Sequence, residues 1–68
     1  MSGQVYKTIE IVGSSATSLE DAVQGAASKA SSSVRNLRWF EVSSIRGGFV
    51  DEKLAEWQVT IKVSFELD

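Results

Sequence analysis

The 68-residue chain contains no cysteine, no histidine and no proline. Without cysteine it can form neither disulfides nor thiolate metal sites, and without histidine a zinc site is not expected. The same absences remove the commonest general base and the strongest side-chain nucleophile. The acids Glu10, Glu41, Glu52, Glu56 and Glu66 are scattered, which gives no support to a paired-carboxylate mechanism. An enzyme is therefore not expected. Formal net charge is -2, so there is no basic surplus of the kind nucleic-acid binders carry. No apolar run approaches the roughly 18 residues of a membrane span. The start, Met1-Ser2-Gly3-Gln4, lacks the charged and apolar regions of a secretion signal, which makes the cytoplasm the expected location.

Hydrophobic residues make up 43% of the chain, an ordinary value for a globular protein. No internal repeat or linker divides it, and it reads as one domain over residues 1–68. A domain this small usually needs a staple: disulfides, a metal, or self-association. With the first two removed, self-association remains.

Residues Val5 to Val12 alternate as a strand, with Val5, Lys7, Ile9 and Ile11 on one face and Tyr6, Thr8 and Glu10 on the other. Gly13-Ser14-Ser15-Ala16-Thr17 reads as a loop; an anion site there lacks any phosphate-binding motif, and an ordinary connection is the better reading. Ser18 is a good helix N-cap, and Asp21 completes a capping-box-like pair. Apolar residues then recur with helical spacing from Leu19 to Leu37, about five turns, along a stripe that is mostly alanine. The Ser31-Ser32-Ser33 run favours fraying of the last turn.

A second strand is expected over Arg38 to Gly47. Phe40 and Val42 define one face, but the next apolar residue is Ile45, so a β-bulge near Ser43-Ser44 is needed to keep the pattern in register. Gly47-Gly48 begins a hairpin connection that ends at Asp51-Glu52-Lys53. In the last strand Trp57, Val59, Ile61, Val63, Phe65 and Leu67 alternate with polar residues. From Leu54 to Asp68 it would span about 50 Å, whereas five helical turns cover about 28 Å. One helix cannot hide that apolar face, and Trp57 or the Phe65–Leu67 end needs cover from another chain. The order β-α-β-β with a right-handed crossover gives an α+β fold with an antiparallel sheet ordered 1-3-2, packed on one helix.

Trp39 sits among polar neighbours on the face opposite Phe40 and Val42. An indole there marks something that covers it: a subunit, a peptide or a flat ligand. Parity puts Gln58 on the same face, and its amide both donates and accepts, matching the edge of a uracil-like ring. The bulge brings Arg46 to that face too, where it meets a ligand's polar tail or solvent. Trp57 belongs to the apolar set and reads as core or interface.

At these residues the chain resembles the dodecins, small flavin-binding proteins. The resemblance runs through Val5-Tyr6-Lys7, Ile9-Glu10-Ile11-Val12-Gly13-Ser14-Ser15, the alanine-rich helix, Leu37-Arg38-Trp39-Phe40-Glu41-Val42, Ile45-Arg46-Gly47, Trp57-Gln58-Val59 and Val63-Ser64-Phe65-Glu66-Leu67. It implies a protomer whose sheet wraps its helix, assembled into a hollow, spherical dodecamer. It also implies that riboflavin or FMN is bound non-covalently, as stacked pairs sandwiched by tryptophans, for storage and photoprotection. Trp39 matches the stacking residue, Gln58 the amide on the flavin's pyrimidine edge, Arg46 a residue beside the flavin, and Ser44 a position near the ribityl chain. Lys7 and Lys29 match basic positions of a coenzyme A site in some relatives. Glu66 departs from the pattern: many bacterial members carry arginine there, positioned for the flavin phosphate. The reading from another class is a purely structural assembly module in which Trp39 closes a subunit contact.

Overall fold

The computed structural model describes residues 3–68, so the reading of the Met1-Ser2-Gly3-Gln4 start falls partly outside the described residues. The chain runs β1 (Tyr6–Ser15), α1 (Leu19–Ser33), β2 (Leu37–Val50) and β3 (Lys53–Glu66). The strands form one antiparallel sheet in the order β1-β3-β2. This is the β-α-β-β topology expected from the alternation of β3 and the right-handed crossover.

β1 is longer than the sequence pattern suggests. It continues through Gly13, Ser14 and Ser15, which pair with Val59, Gln58 and Trp57. Glycine is required at 13 because α1 crosses closely there: a Cβ would run into the Ala22 carbonyl and lie 2.9 Å from the Ala26 Cβ. Ser15 is 8% exposed and ties the strand end to the helix. Its Oγ donates to the Asp21 carboxylate at 2.7 Å and accepts from the Thr17 and Ser18 amides at 2.9 and 3.3 Å. Ser18 is the N-cap, accepting from the Asp21 amide at 3.0 Å. Half of the expected capping box is thus present. Asp21 turns to Ser15 instead of reaching back to the Ser18 amide, because Ser15 already occupies that donor.

The helix stops at Ser33, earlier than the stripe running to Leu37 implies. Val34 is extended and Asn36 is left-handed, with φ 64°. The serine run is nevertheless helical, and its hydroxyls bond back to the preceding turn, Ser31 to the Ser28 carbonyl and Ser32 and Ser33 to that of Lys29.

The core is thin. Ala22, Ala26 and Ala30 lie on Val59, Ile61 and Val63, with Ile9, Ile11, Val23 and Leu37 at its margin. The helix packs over β1 and β3 and leaves β2 largely uncovered beyond Leu37. Phe40, Val42 and Ile45 pair with the buried Val63, Ile61 and Val59, yet are 49%, 42% and 55% exposed. Trp57 and Phe65, expected to be the uncovered residues, are half-buried instead, although Leu67 does remain 45% exposed. A helix of alanines is narrow and reaches only two strands, so the uncovered apolar surface moves sideways onto β2.

β2 carries three register shifts, between Leu37 and Trp39, between Val42 and Ser44, and between Gly48 and Phe49. The second is the expected bulge. β2 passes through Gly47-Gly48 without turning, and the hairpin turns at Asp51-Glu52, both at positive φ, 52° and 65°. Phe49, Val50 and Leu54 stand exposed beside that turn. The protomer measures 57 × 20 × 13 Å.

Candidate functional site

The outer face of the sheet, away from α1, carries the chemistry. Pairing across β3 aligns Tyr6 with Glu66, Thr8 with Ser64, and Ser14 with Gln58 from β1. From β2 it aligns Trp39 with Ser64, Glu41 with Lys62, Ser44 with Thr60, and Arg46 with Gln58. The bulge at Ser43 makes this possible. Ser43 is the extra residue, its hydroxyl bonded to the Thr60 carbonyl at 3.2 Å, and Ser44 and Arg46 thereby return to the face of Trp39.

The expected residues fall into two groups. At one end Trp39 is 50% exposed, and Tyr6 leans on it across β3 with ring centroids 4.8 Å apart and planes tilted by 55°. Between the two strands Ser64 is 3% exposed and its Oγ lies 2.9 Å from the Thr8 Oγ1. Glu66 is at this same end, held by Arg38, whose Nε and NH2 donate to one carboxylate oxygen at 3.1 and 2.7 Å. Arg38 can reach it because it is the extra residue of the first bulge, between Leu37 and Trp39.

At the other end, Arg46 Nε donates to Gln58 Oε1 at 2.6 Å, and Gln58 Nε2 donates to a Glu56 oxygen at 3.0 Å. Ser44 lies on the same face, one pair along. Ser64 lies six residue steps along β3 from Gln58, about 20 Å of strand. Trp39 and Gln58 therefore share a face but not a pocket, and that span exceeds the length of a flavin ring system.

Neither Tyr6 nor Glu56 stands out in the sequence as a site residue. Tyr6 is visible only as an aromatic on the same face as Trp39 once the sheet order is known. Glu56 is visible only as the residue two before Gln58 on its face.

Lys29 lines a groove of about 480 Å³ between α1 and β1, with Ile9, Ile11, Ser14 and Ser33 among its walls. Lys7 does not line this groove; it lies farther along β1, paired with Phe65. Among the described residues no three acidic side chains come together to hold a metal, and no helix is long and apolar enough to cross a membrane.

Comparison with known proteins gives a consistent relationship. Residues 5–68 match the family model described as Dodecin. The dodecin of Thermus thermophilus is 44% identical over 66 residues, covering 97% of this chain and 96% of the relative. Among solved structures, the dodecin from Streptomyces davaonensis superposes with a TM-score of 0.92 at 42% identity, covering 98% of each chain. A calcium-chelating antigen of Mycobacterium tuberculosis, called calcium dodecin, superposes with a TM-score of 0.84 at 31% identity, covering 94% of this chain and 91% of that one.

Proposed function

Because this chain belongs to the dodecin family, we propose that it is a non-enzymatic flavin-binding protein that stores and photoprotects riboflavin or FMN within a dodecamer. The observation that carries this reading is the half-exposed indole of Trp39 on the outer face of the sheet, backed by Tyr6. A flat ring finds there a flat, electron-rich partner of low conformational entropy. Gln58 fits the edge of such a ring. With one bond to Arg46 and one to Glu56, its amide retains one N–H and one carbonyl lone pair. That is the complement of an imide N–H beside a carbonyl. Arg46 and Ser44 are near enough to Gln58 to meet the ribityl chain.

The roughly 20 Å between Trp39 and Gln58 and the bare apolar face of β2 favour sites built between copies. Trp39, stacked on a flavin, can pass an electron to the photoexcited ring and recover it in the dark, which quenches the excited state without net chemistry. The family also suggests coenzyme A as a second ligand, with Lys29 at the groove beside α1 and Lys7 farther along β1. The cytoplasm is the proposed location.

Two measurements test the proposal. Native mass spectrometry should give a species of twelve times the 7.4 kDa chain mass. Riboflavin or FMN fluorescence should fall on titration with the protein. Assembly with no quenching by either flavin would defeat the proposal and favour the rival reading, an assembly module in which Trp39 closes a subunit contact.

A further inference from the structure

We infer that Glu56, seated over Gly48, is a positioning residue that sets the donor–acceptor face Gln58 offers to a ligand, and so makes the site selective for rings with an unsubstituted imide. This rests on the proposed binding of flavin at Gln58.

The first observation is the chain of hydrogen bonds Arg46–Gln58–Glu56. A glutamine amide is nearly symmetric in shape, and its two orientations differ only in which end donates. Here the neighbours decide. Arg46 has only donors and takes the oxygen end at 2.6 Å; the Glu56 carboxylate has only acceptors and takes the nitrogen end at 3.0 Å. Reversing the amide would set N–H against N–H on one side and oxygen against oxygen on the other. Both contacts are charge-assisted, the stronger class of hydrogen bond. What remains for a ligand is one N–H and one carbonyl lone pair in a fixed order. A ligand that offers a donor and an acceptor in the matching order is accepted. One whose donor is blocked leaves the Gln58 oxygen facing an alkyl group.

The second observation is independent of the first and concerns Gly48. No glycine among the described residues has positive φ, so Gly48 is not there for backbone conformation. It pairs with Glu56 across the hairpin, and a Cβ at Gly48 would lie 3.2 Å from the Glu56 Cγ and 3.3 Å from Oε2, the oxygen that accepts from Gln58. The missing side chain is the space in which the Glu56 carboxylate lies.

The test compares riboflavin with its N3-methyl analogue by fluorescence titration of the assembled protein, with native mass spectrometry confirming the assembly of every variant. In the unaltered protein, methylation should weaken binding by about three- to tenfold, the worth of one hydrogen bond. Glu56→Ala should weaken riboflavin while leaving the methylated analogue nearly unchanged, so the ratio shrinks toward one. Glu56→Gln retains an acceptor oxygen and should restore part of it. Gly48→Ala keeps the carboxylate but displaces it, and should shrink the ratio in the same direction. A ratio lost in Gln58→Ala but unaltered in Glu56→Ala and Gly48→Ala would overturn the positioning role alone. A Gln58→Ala protein that binds both compounds as the unaltered protein does would overturn the flavin reading at Gln58 instead.

Discussion

Tyr6 and Trp39, on the two outer strands of the sheet, meet across β3 with ring centroids 4.8 Å apart. The contact holds one side of the indole and leaves half of its surface free. If a flavin stacks on that surface, Trp39→Ala removes the platform and Tyr6→Leu loosens it. An aromatic pair contributes about 0.5–1.5 kcal/mol beyond the area it buries. Trp39→Ala should raise the dissociation constant for riboflavin by at least about threefold, and Tyr6→Leu by less. Flavin titration would decide, and equal affinity in Trp39→Ala and the unaltered protein would end the platform role.

Assembly should depend on the other face of β2. Phe40, Val42 and Ile45 form an apolar strip that α1 does not reach. Val42→Asp places a charge in the middle of it. Sedimentation or native mass spectrometry should show that variant as a much smaller species at micromolar concentration, while Trp39→Ala stays assembled. A Val42→Asp protein of full size would show that this strip is not the interface.

Glu66 lies where a phosphate-binding arginine is expected in many bacterial relatives, but its charge is not free. Arg38 holds one of its oxygens at 2.7 Å, with the two side chains 45% and 21% exposed. If flavin binds as proposed with its phosphate near Glu66, the pair bears on flavin choice. Riboflavin should bind at least as well as FMN, Glu66→Arg should shift preference toward FMN, and Arg38→Ala, which unmasks the carboxylate, should shift it away. A nearby exposed unit charge interacts with another by about 1 kcal/mol at 4 Å in water, so shifts of about fivefold at low salt are expected. Parallel titrations with both flavins measure them; a preference that moves in neither variant would place the phosphate elsewhere.

The hairpin offers a stabilising change. Asp51 and Glu52 both adopt positive φ, and Glu52 pays the usual steric cost of a side chain in that region, about 1–2 kcal/mol. A two-residue loop with both φ positive favours Asn-Gly. The double change Asp51→Asn, Glu52→Gly should raise the denaturation midpoint at fixed protein concentration. A lowered midpoint would mean that these side chains take part in contacts between copies.

Much of this fold is legible in the sequence. The strict alternation of β3, the slip between Val42 and Ile45, and Ser18 ahead of an alanine stripe give the topology, the central bulge and the start of the helix. The misread points share a cause, because each depends on a neighbour distant in sequence. Gly13 and Ser15 look like loop residues, yet one makes room for Ala22 and Ala26 and the other anchors Asp21. Gly47-Gly48 looks like a turn, yet a Cβ at Gly47 would crowd Leu54 and one at Gly48 would crowd Glu56. For the site, strand parity is enough to put Trp39, Arg46 and Gln58 on one face. The contact of Tyr6 with Trp39 needs the register of all three strands, and that of Arg38 with Glu66 the register of β2 on β3, which the first bulge hides; Glu56 is already on the face of Gln58 by alternation, but nothing in the pattern marks it as a partner.

The distance along β3 between Trp39 and Gln58 has a genetic consequence. When each binding site draws these two side chains from different copies, no single chain owns a site. Chains carrying Trp39→Ala and chains carrying Gln58→Ala, each defective alone, would rebuild intact sites when refolded together, wherever an unaltered Trp39 of one faces an unaltered Gln58 of the other. Two damaged alleles in one cell would then complement each other.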